Sequence, residues 1–199
     1  MKIRPHPRFE DLRRRLARPP DLLQPWEGAA YRATTLDYPR PKSILLGQGS
    51  FLYGGRWNSI GSYRAVYGST EDTVAVAESR ATADYAHVPM PFRIPRLLVA
   101  IDFSLQAMLD LTSPTARDQL GVDGEELRME DWRKMQEQGS ESLTQAIGRA
   151  VFANEGEGLL VPSARVSDGV NVVYFPENHR AASRATVLEA EKLDRVRLV

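Results

Sequence analysis

The sequence predicts an α+β fold of mixed small sheets with flanking helices, in a single domain. Residues 96–103 read RLLVAIDF, a nearly continuous apolar run of the kind a strand buried on both faces carries. Within 142–153, Leu143, Ala146, Ile147, Ala150 and Val151 fall at i, i+3, i+4, i+7 and i+8, the stripe of an amphipathic helix. Strand and helix patterns interleave without the regular spacing of βαβ units, so a doubly wound parallel sheet does not fit.

The elements follow in order. Residues 1–28 read as a basic extension rich in Arg and Pro, with a short helix at 9–17 and Pro19, Pro20 and Pro25 breaking the chain behind it. The catalytic body is expected over 29–199, and the extension is expected to be dispensable for chemistry. A strand is predicted at 31–36. Residues 39–61 are loop-rich, with glycines at 47, 49, 54, 55 and 61. A short strand at 64–68 leads into a helix from Ser69 to about Tyr85. Ser69 is placed as its N-cap and Asp72 stands three residues on, in capping-box register. Residues 112–140 are charged and partly helical. Strands are predicted at 159–161 and 170–175, and 194–199 is read as a final edge strand.

Bulk properties exclude several functions. The 199 residues carry 26 basic and 26 acidic side chains, so no net field draws the chain to nucleic acid or to an anionic membrane. The extension is locally basic: Lys2, Arg4, Arg8, Arg13, Arg14, Arg15 and Arg18 face only Glu10 and Asp11. That pattern reads first as a solvated tail or helix. No apolar run approaches the ~18 residues a membrane span needs. The N-terminus lacks the apolar stretch of a secretory signal, so a cytoplasmic location is expected. There is no cysteine, which removes disulfides, thiol catalysis and cysteine-held metals. His6, His87 and His179 show no metal-binding spacing, and no metal is expected.

The chemistry is expected between Gly47 and Ala81. Gly54 and Gly55 free the backbone just before Arg56, so this loop can approach a ligand closely. It is neither a Walker loop nor a dinucleotide fingerprint. On the next helix Val74, Ala77, Glu78, Ala81 and Tyr85 share one face, which puts a carboxylate in the middle of the inward side. A carboxylate there is either half of a buried salt bridge or a working group at the edge of a polar cleft. Arg32, after Tyr31, and Arg56 are the arginines placed to meet it; an arginine fork binds phosphate oxygens bidentately. Ser163 leaves a strand end behind Pro162, outside any GxSxG context, so a hydrolase nucleophile is not expected.

The string G-x-G-S-x-x-Y-G-G-R-W-N-x-x-G from Gly47 to Gly61 resembles the RES domain family. So do Tyr31–Arg32, Val66–Tyr67, Glu78, Trp132–Arg133, S-x-x-x-T-Q-x-I-G from Ser140 to Gly148, Val161–Ala164, and Asn171 with Pro176. The resemblance covers about Tyr31 to His179. It implies an ADP-ribosyltransferase-like fold and a toxin that breaks the nicotinamide–ribose bond of NAD, by hydrolysis or by phosphorolysis with inorganic phosphate as co-substrate. It also implies neutralisation by an Xre-type antitoxin protein. The catalytic residues it implies are Arg32, Arg56, Tyr67 and Glu78, with Ser163, Tyr31, Gly55 and Asn171 binding substrate beside them. No cofactor beyond NAD as substrate is implied. A mono-ADP-ribosyltransferase acting on a cellular protein and a non-catalytic binding module stay open, as does a homodimer. The segment from about Thr112 to Gln138 and the Tyr38–Pro41 loop depart from the pattern.

Overall fold

A computed structural model describes residues 3–18, 21–35, 40–85 and 96–193. The element order is α1 (Phe9–Leu16), β1 (Leu23–Thr35), α2 (Pro41–Ile44), α3 (Gln48–Tyr53), β2 (Val66–Ser69), α4 (Asp72–Tyr85), β3 (Arg96–Asp110), α5 (Pro114–Leu120), α6 (Gly124–Met129), α7 (Trp132–Glu137), α8 (Leu143–Ala153), β4 (Gly158–Pro162), β5 (Val170–Tyr174), β6 (Arg184–Val187) and α9 (Ala190–Leu193).

The strands form one six-stranded sheet, ordered β1-β2-β5-β4-β3-β6, in place of several small ones. β1 also pairs with β3, which closes β1, β2, β5, β4 and β3 into a ring. Among the strands of the described residues only β3 and β4 run parallel; the other pairs are antiparallel. Two apolar clusters hold the sheet. One contains Leu12, Leu16, Ile147, Val151, Leu159 and Phe175; the other contains Ala30, Ile101, Phe103, Leu105 and Tyr174. The apolar run expected as a buried strand supplies Val99, Ile101 and Phe103.

Several boundaries differ from expectation for identifiable reasons. β1 starts eight residues before Tyr31, at Leu23. Pro25, read as a breaker, sits at a register shift between Gln24 and Trp26, and a bulge is where a strand tolerates proline. Ser69 is not the cap of α4. It ends β2 opposite Asn171, and its hydroxyl donates to the Asn171 side chain at 2.7 Å. The glycine-rich stretch holds two short helices; Gly47 (φ 67°) and Gly54 (φ 76°) bound α3 at positive φ, where glycine is favoured. The edge strand expected at 194–199 lies outside the described residues, and β6 is the strand that pairs with β3 at the edge of the sheet.

The N-terminal extension belongs to the packed body. Leu12 and Leu16 are buried in the same cluster as α8, and Phe9 packs against it. Glu10 pairs with Arg13 and Asp11 with Arg15 on the outer side. Glu141, 3 % exposed, explains how the chain ahead of α1 is held. Its carboxylate accepts two bonds from Arg149, at 2.6 and 2.7 Å, and one from the His6 backbone at 2.8 Å. Arg149 in turn lies over the Phe9 ring.

Candidate active site

A cavity of about 680 Å³ opens between α3, α4, α7 and the β1–β2–β5 face of the sheet. Glu78 reaches it from α4. Val74 and Ala75 of that helix are buried, which fixes its rotation and leaves Glu78 half-buried at the cavity wall. Glu78 Oε1 accepts from Ser163 Oγ at 2.7 Å and from Asn171 Nδ2 at 2.9 Å. These two partners are neutral donors. The clamp is itself held. Asn171 Oδ1 accepts from Ser69, and Ser163 Oγ accepts from the Arg165 and Val166 backbone at 3.1 Å each. Ser163 is 4 % exposed and does not line the cavity. Its hydroxyl donates to Glu78 and accepts two backbone bonds, whereas Asn171 does line the cavity.

Arg32 enters from β1. Its Nη1 donates to the Tyr67 carbonyl at 2.7 Å, while Nε is buried with no hydrogen-bond partner among the described residues. Burial lowers its pKa to about 10, which still leaves a cation at neutral pH. Tyr31 pairs through its backbone with Ser69 and Ala100 and does not line the cavity; strand alternation sends it the other way from Arg32. Arg56 Nη1 donates to the carbonyls of Leu127 and Glu130, at 3.0 and 3.1 Å. Burial lowers the Arg56 pKa; Glu78 and Glu130 oppose that, and Arg133 and Arg165 add to it. Arg133, stacked on Trp132 with its guanidinium 4.4 Å from the ring, and Arg165 also line the cavity. Clustered cations at a partly buried wall repel one another, and an anionic ligand relieves that.

The Tyr67 hydroxyl is not offered to ligand. It donates to Asn58 Oδ1 at 2.8 Å and accepts from the Trp57 backbone at 3.0 Å, and burial raises its pKa, so it stays neutral. Tyr67 lines the cavity, and with its hydroxyl bonded to Asn58 and Trp57 the ring is the part suited to stacking. Gly55 is required here: a Cβ would stand 2.3 Å from the Tyr67 hydroxyl oxygen.

Arg32, Arg56, Tyr67, Glu78, Gly55 and Asn171 are therefore brought together, with Ser163 behind Glu78 and Tyr31 outside the cavity. Reading the sequence missed Arg133, Arg165, Asn58 and Gln136. Arg133 and Asn58 lie within the quoted motifs; Arg165 follows Ala164 with no pattern to mark it. Among the described residues no group of three or more His, Asp or Glu side chains is placed to hold a metal ion.

Arg56→Lys is expected to lower kcat/KM for substrate about tenfold, or about 1.4 kcal/mol, because lysine keeps the charge and loses the planar fork. Steady-state kinetics check this; free substitution by lysine would reduce Arg56 to a steering charge.

The chain, with its mixed sheet and its arginine-rich cavity around Glu78, belongs to the RES domain family: the RES domain model matches residues 29–196. Among curated proteins, the chain is similar to the NAD(+) phosphorylase MbcT of Mycobacterium bovis and of Mycobacterium tuberculosis. Each is 30% identical over 157 residues, covering 78% of this chain and 76% of the relative. Among solved structures, the crystal structure of the M. tuberculosis MbcT–MbcA toxin–antitoxin complex matches with a TM-score of 0.65 and 25% identity. That match covers 94% of this chain and 97% of the other.

Proposed function

We propose that the chain cleaves the nicotinamide–ribose bond of NAD, transfers the ADP-ribosyl group to inorganic phosphate, and acts as a toxin held in check by a partner antitoxin. The observation that carries this is Glu78, clamped by Ser163 and Asn171 at the wall of a cavity that also holds Arg32, Arg56, Arg133 and Arg165. The similarity to an NAD(+) phosphorylase and to a toxin–antitoxin complex supports the reading.

The chemistry follows from the charges. The glycosidic nitrogen of NAD is cationic, so its bond to the ribose carbon breaks with the electron pair moving to nitrogen, and nicotinamide leaves neutral. The ribose carbon gains oxocarbenium character, as in glycoside cleavage. Glu78 faces that positive charge and steadies it, while the arginines hold the pyrophosphate. A phosphate oxygen then forms the new bond to the ribose carbon, giving ADP-ribose-1″-phosphate and nicotinamide. The wall carries Arg32, Arg56, Arg133 and Arg165 against Glu78 and Glu137, a lining with more cations than anions, which suits an anionic nucleophile. Seating it there raises its effective concentration. We take the antitoxin to be of the Xre type, a small helix-turn-helix protein that closes the cavity.

Product mass spectrometry across a phosphate titration tests this. NAD loss is expected to rise with phosphate and to yield ADP-ribose-1″-phosphate. Unmodified ADP-ribose alone, with rates falling as phosphate rises, would leave a glycohydrolase in which phosphate merely competes for the arginines.

A further inference from the structure

The loop that carries Arg56 is a tight turn in which the Gly55 amide donates to the Asn58 carbonyl at 2.8 Å, and side chains from elsewhere meet further backbone polar groups on both sides of it and within it. The Tyr53 carbonyl accepts from Gln136 Nε2 at 3.0 Å, and the Ile60 amide donates to Gln136 Oε1 at 3.2 Å. One side chain of α7 thus grips the loop on both sides of Arg56. Between those points the Gly55 carbonyl accepts from Gln145 Nε2 at 3.0 Å, and the same nitrogen donates to Gln136 Oε1 at 3.1 Å. The Trp57 amide donates to the Tyr67 hydroxyl at 3.0 Å, and its carbonyl accepts from the Tyr63 hydroxyl at 2.6 Å.

Gln145 anchors this relay. It is fully buried on α8 and does not line the cavity. Its Oε1 accepts from the Ser142 amide at 3.2 Å in a capping box, so the amide oxygen is fixed by the helix start and the amide nitrogen by the loop. α8 also seats the loop sterically. Gly148 lies one turn on, and a Cβ there would stand 1.9 Å from the Trp57 carbonyl oxygen. The helix start is steadied by Glu130, whose carboxylate accepts from the Leu143 and Thr144 amides at 2.6 and 2.9 Å; the Glu130 carbonyl is one of the two that hold Arg56. This accounts for the T-Q-x-I-G motif, which touches no substrate-facing surface through Gln145 or Gly148.

We propose that Gln145, with Gln136, is a positioning residue: the buried amide relay between α8, α7 and the 53–60 loop sets the geometry in which Arg56 meets an anionic substrate. A guanidinium fork works only when it is held in the right orientation, and a loop ordered in advance spares the substrate the cost of ordering it. The chemical consequence rests on the NAD-cleaving reading; the ordering of the loop does not.

The test compares Gln145→Met with Ser142→Ala in the full chain. Both break the α8 capping box, but only the first removes the bond to the Gly55 carbonyl. Both are expected to melt lower by similar amounts. Gln145→Met is expected to lose about tenfold or more in kcat/KM for NAD, mostly through KM, and to speed hydrogen exchange at the Trp57 and Ile60 amides about tenfold. Ser142→Ala is expected to stay within about twofold of wild type on both measures. Unchanged kinetics and exchange in Gln145→Met, or equal losses in Ser142→Ala, would overturn the proposal. If Gln145→Met fails to fold, Gln136→Met on α7 is read by hydrogen exchange at the Trp57 amide, because Gln136 itself lines the cavity and its kinetics would mix positioning with contact; unchanged exchange there would overturn the proposal. A wild type that consumes no NAD would sink the functional reading and not this one, which the exchange rates then decide.

Discussion

Glu78→Gln is expected to lose NAD consumption by about a hundredfold or more, at least about 2.7 kcal/mol of transition-state stabilisation, while remaining folded. The geometry separates those two effects. The glutamate Oε1 accepts from Ser163 Oγ and Asn171 Nδ2, and a glutamine oxygen in the same place accepts both. The clamp therefore survives. What disappears is the negative charge that the proposed mechanism sets against the ribose carbon as nicotinamide departs. Arg56 also feels the change, since Glu78 helps keep it protonated against burial. NAD loss and a melting curve measured on one preparation check the prediction. Activity near wild type would remove Glu78 from the chemistry. A collapsed melting temperature would instead make it a structural group, the alternative its place on an inward helix face also allows.

Deleting residues 1–28 is expected to leave no stable folded protein. Leu12 and Leu16 are buried against α8, and burial of such side chains contributes roughly 1.5–3 kcal/mol each. The deletion also removes the first part of β1, where Leu23 and Gln24 pair with Leu109 and Met108. It further strips Glu141 of the His6 amide and Arg149 of the Phe9 ring, leaving a nearly buried ion pair with less support. Together these losses approach the whole of a typical domain stability, about 5–15 kcal/mol. Circular dichroism and thermal melting of the truncated chain decide it; a cooperative melt within a few degrees of wild type, with activity intact, would show that the extension is the dispensable tail its composition suggests.

That contrast shows what could be read from the sequence and what could not. Phe9, Leu12 and Leu16 form an apolar stripe at helical spacing, so the packed helix was visible beneath the arginines; charge and proline content obscured it. Pro25 misled because a proline stops a central strand except at a bulge, and a bulge depends on the partner strand. α8 and the buried stretch of β3 were legible because their periodicity is strong and local. Glu78 was legible for the same reason, as a carboxylate on an apolar face. Its partners were harder: Asn171 and Ser163 lie 93 and 85 residues away and meet Glu78 only once β5 and β4 are in register. The family resemblance supplied them, but not that Ser163 stands behind Glu78 and outside the cavity. Nor did spacing reveal that the Tyr67 hydroxyl is spent on the Arg56 loop, because that bond closes a contact between β2 and the 55–58 turn.

In the proposed reaction this cavity breaks the nicotinamide–ribose bond of NAD and hands the ADP-ribosyl group to a small acceptor. Incubating the purified chain with NAD and phosphate, in the absence of any other protein, tests it most directly, with free nicotinamide and the ADP-ribosyl product quantified together. The account predicts nicotinamide and a soluble ADP-ribosyl product in equal amounts, both lost in Glu78→Gln. NAD recovered intact, or ADP-ribose found only on protein, would contradict it.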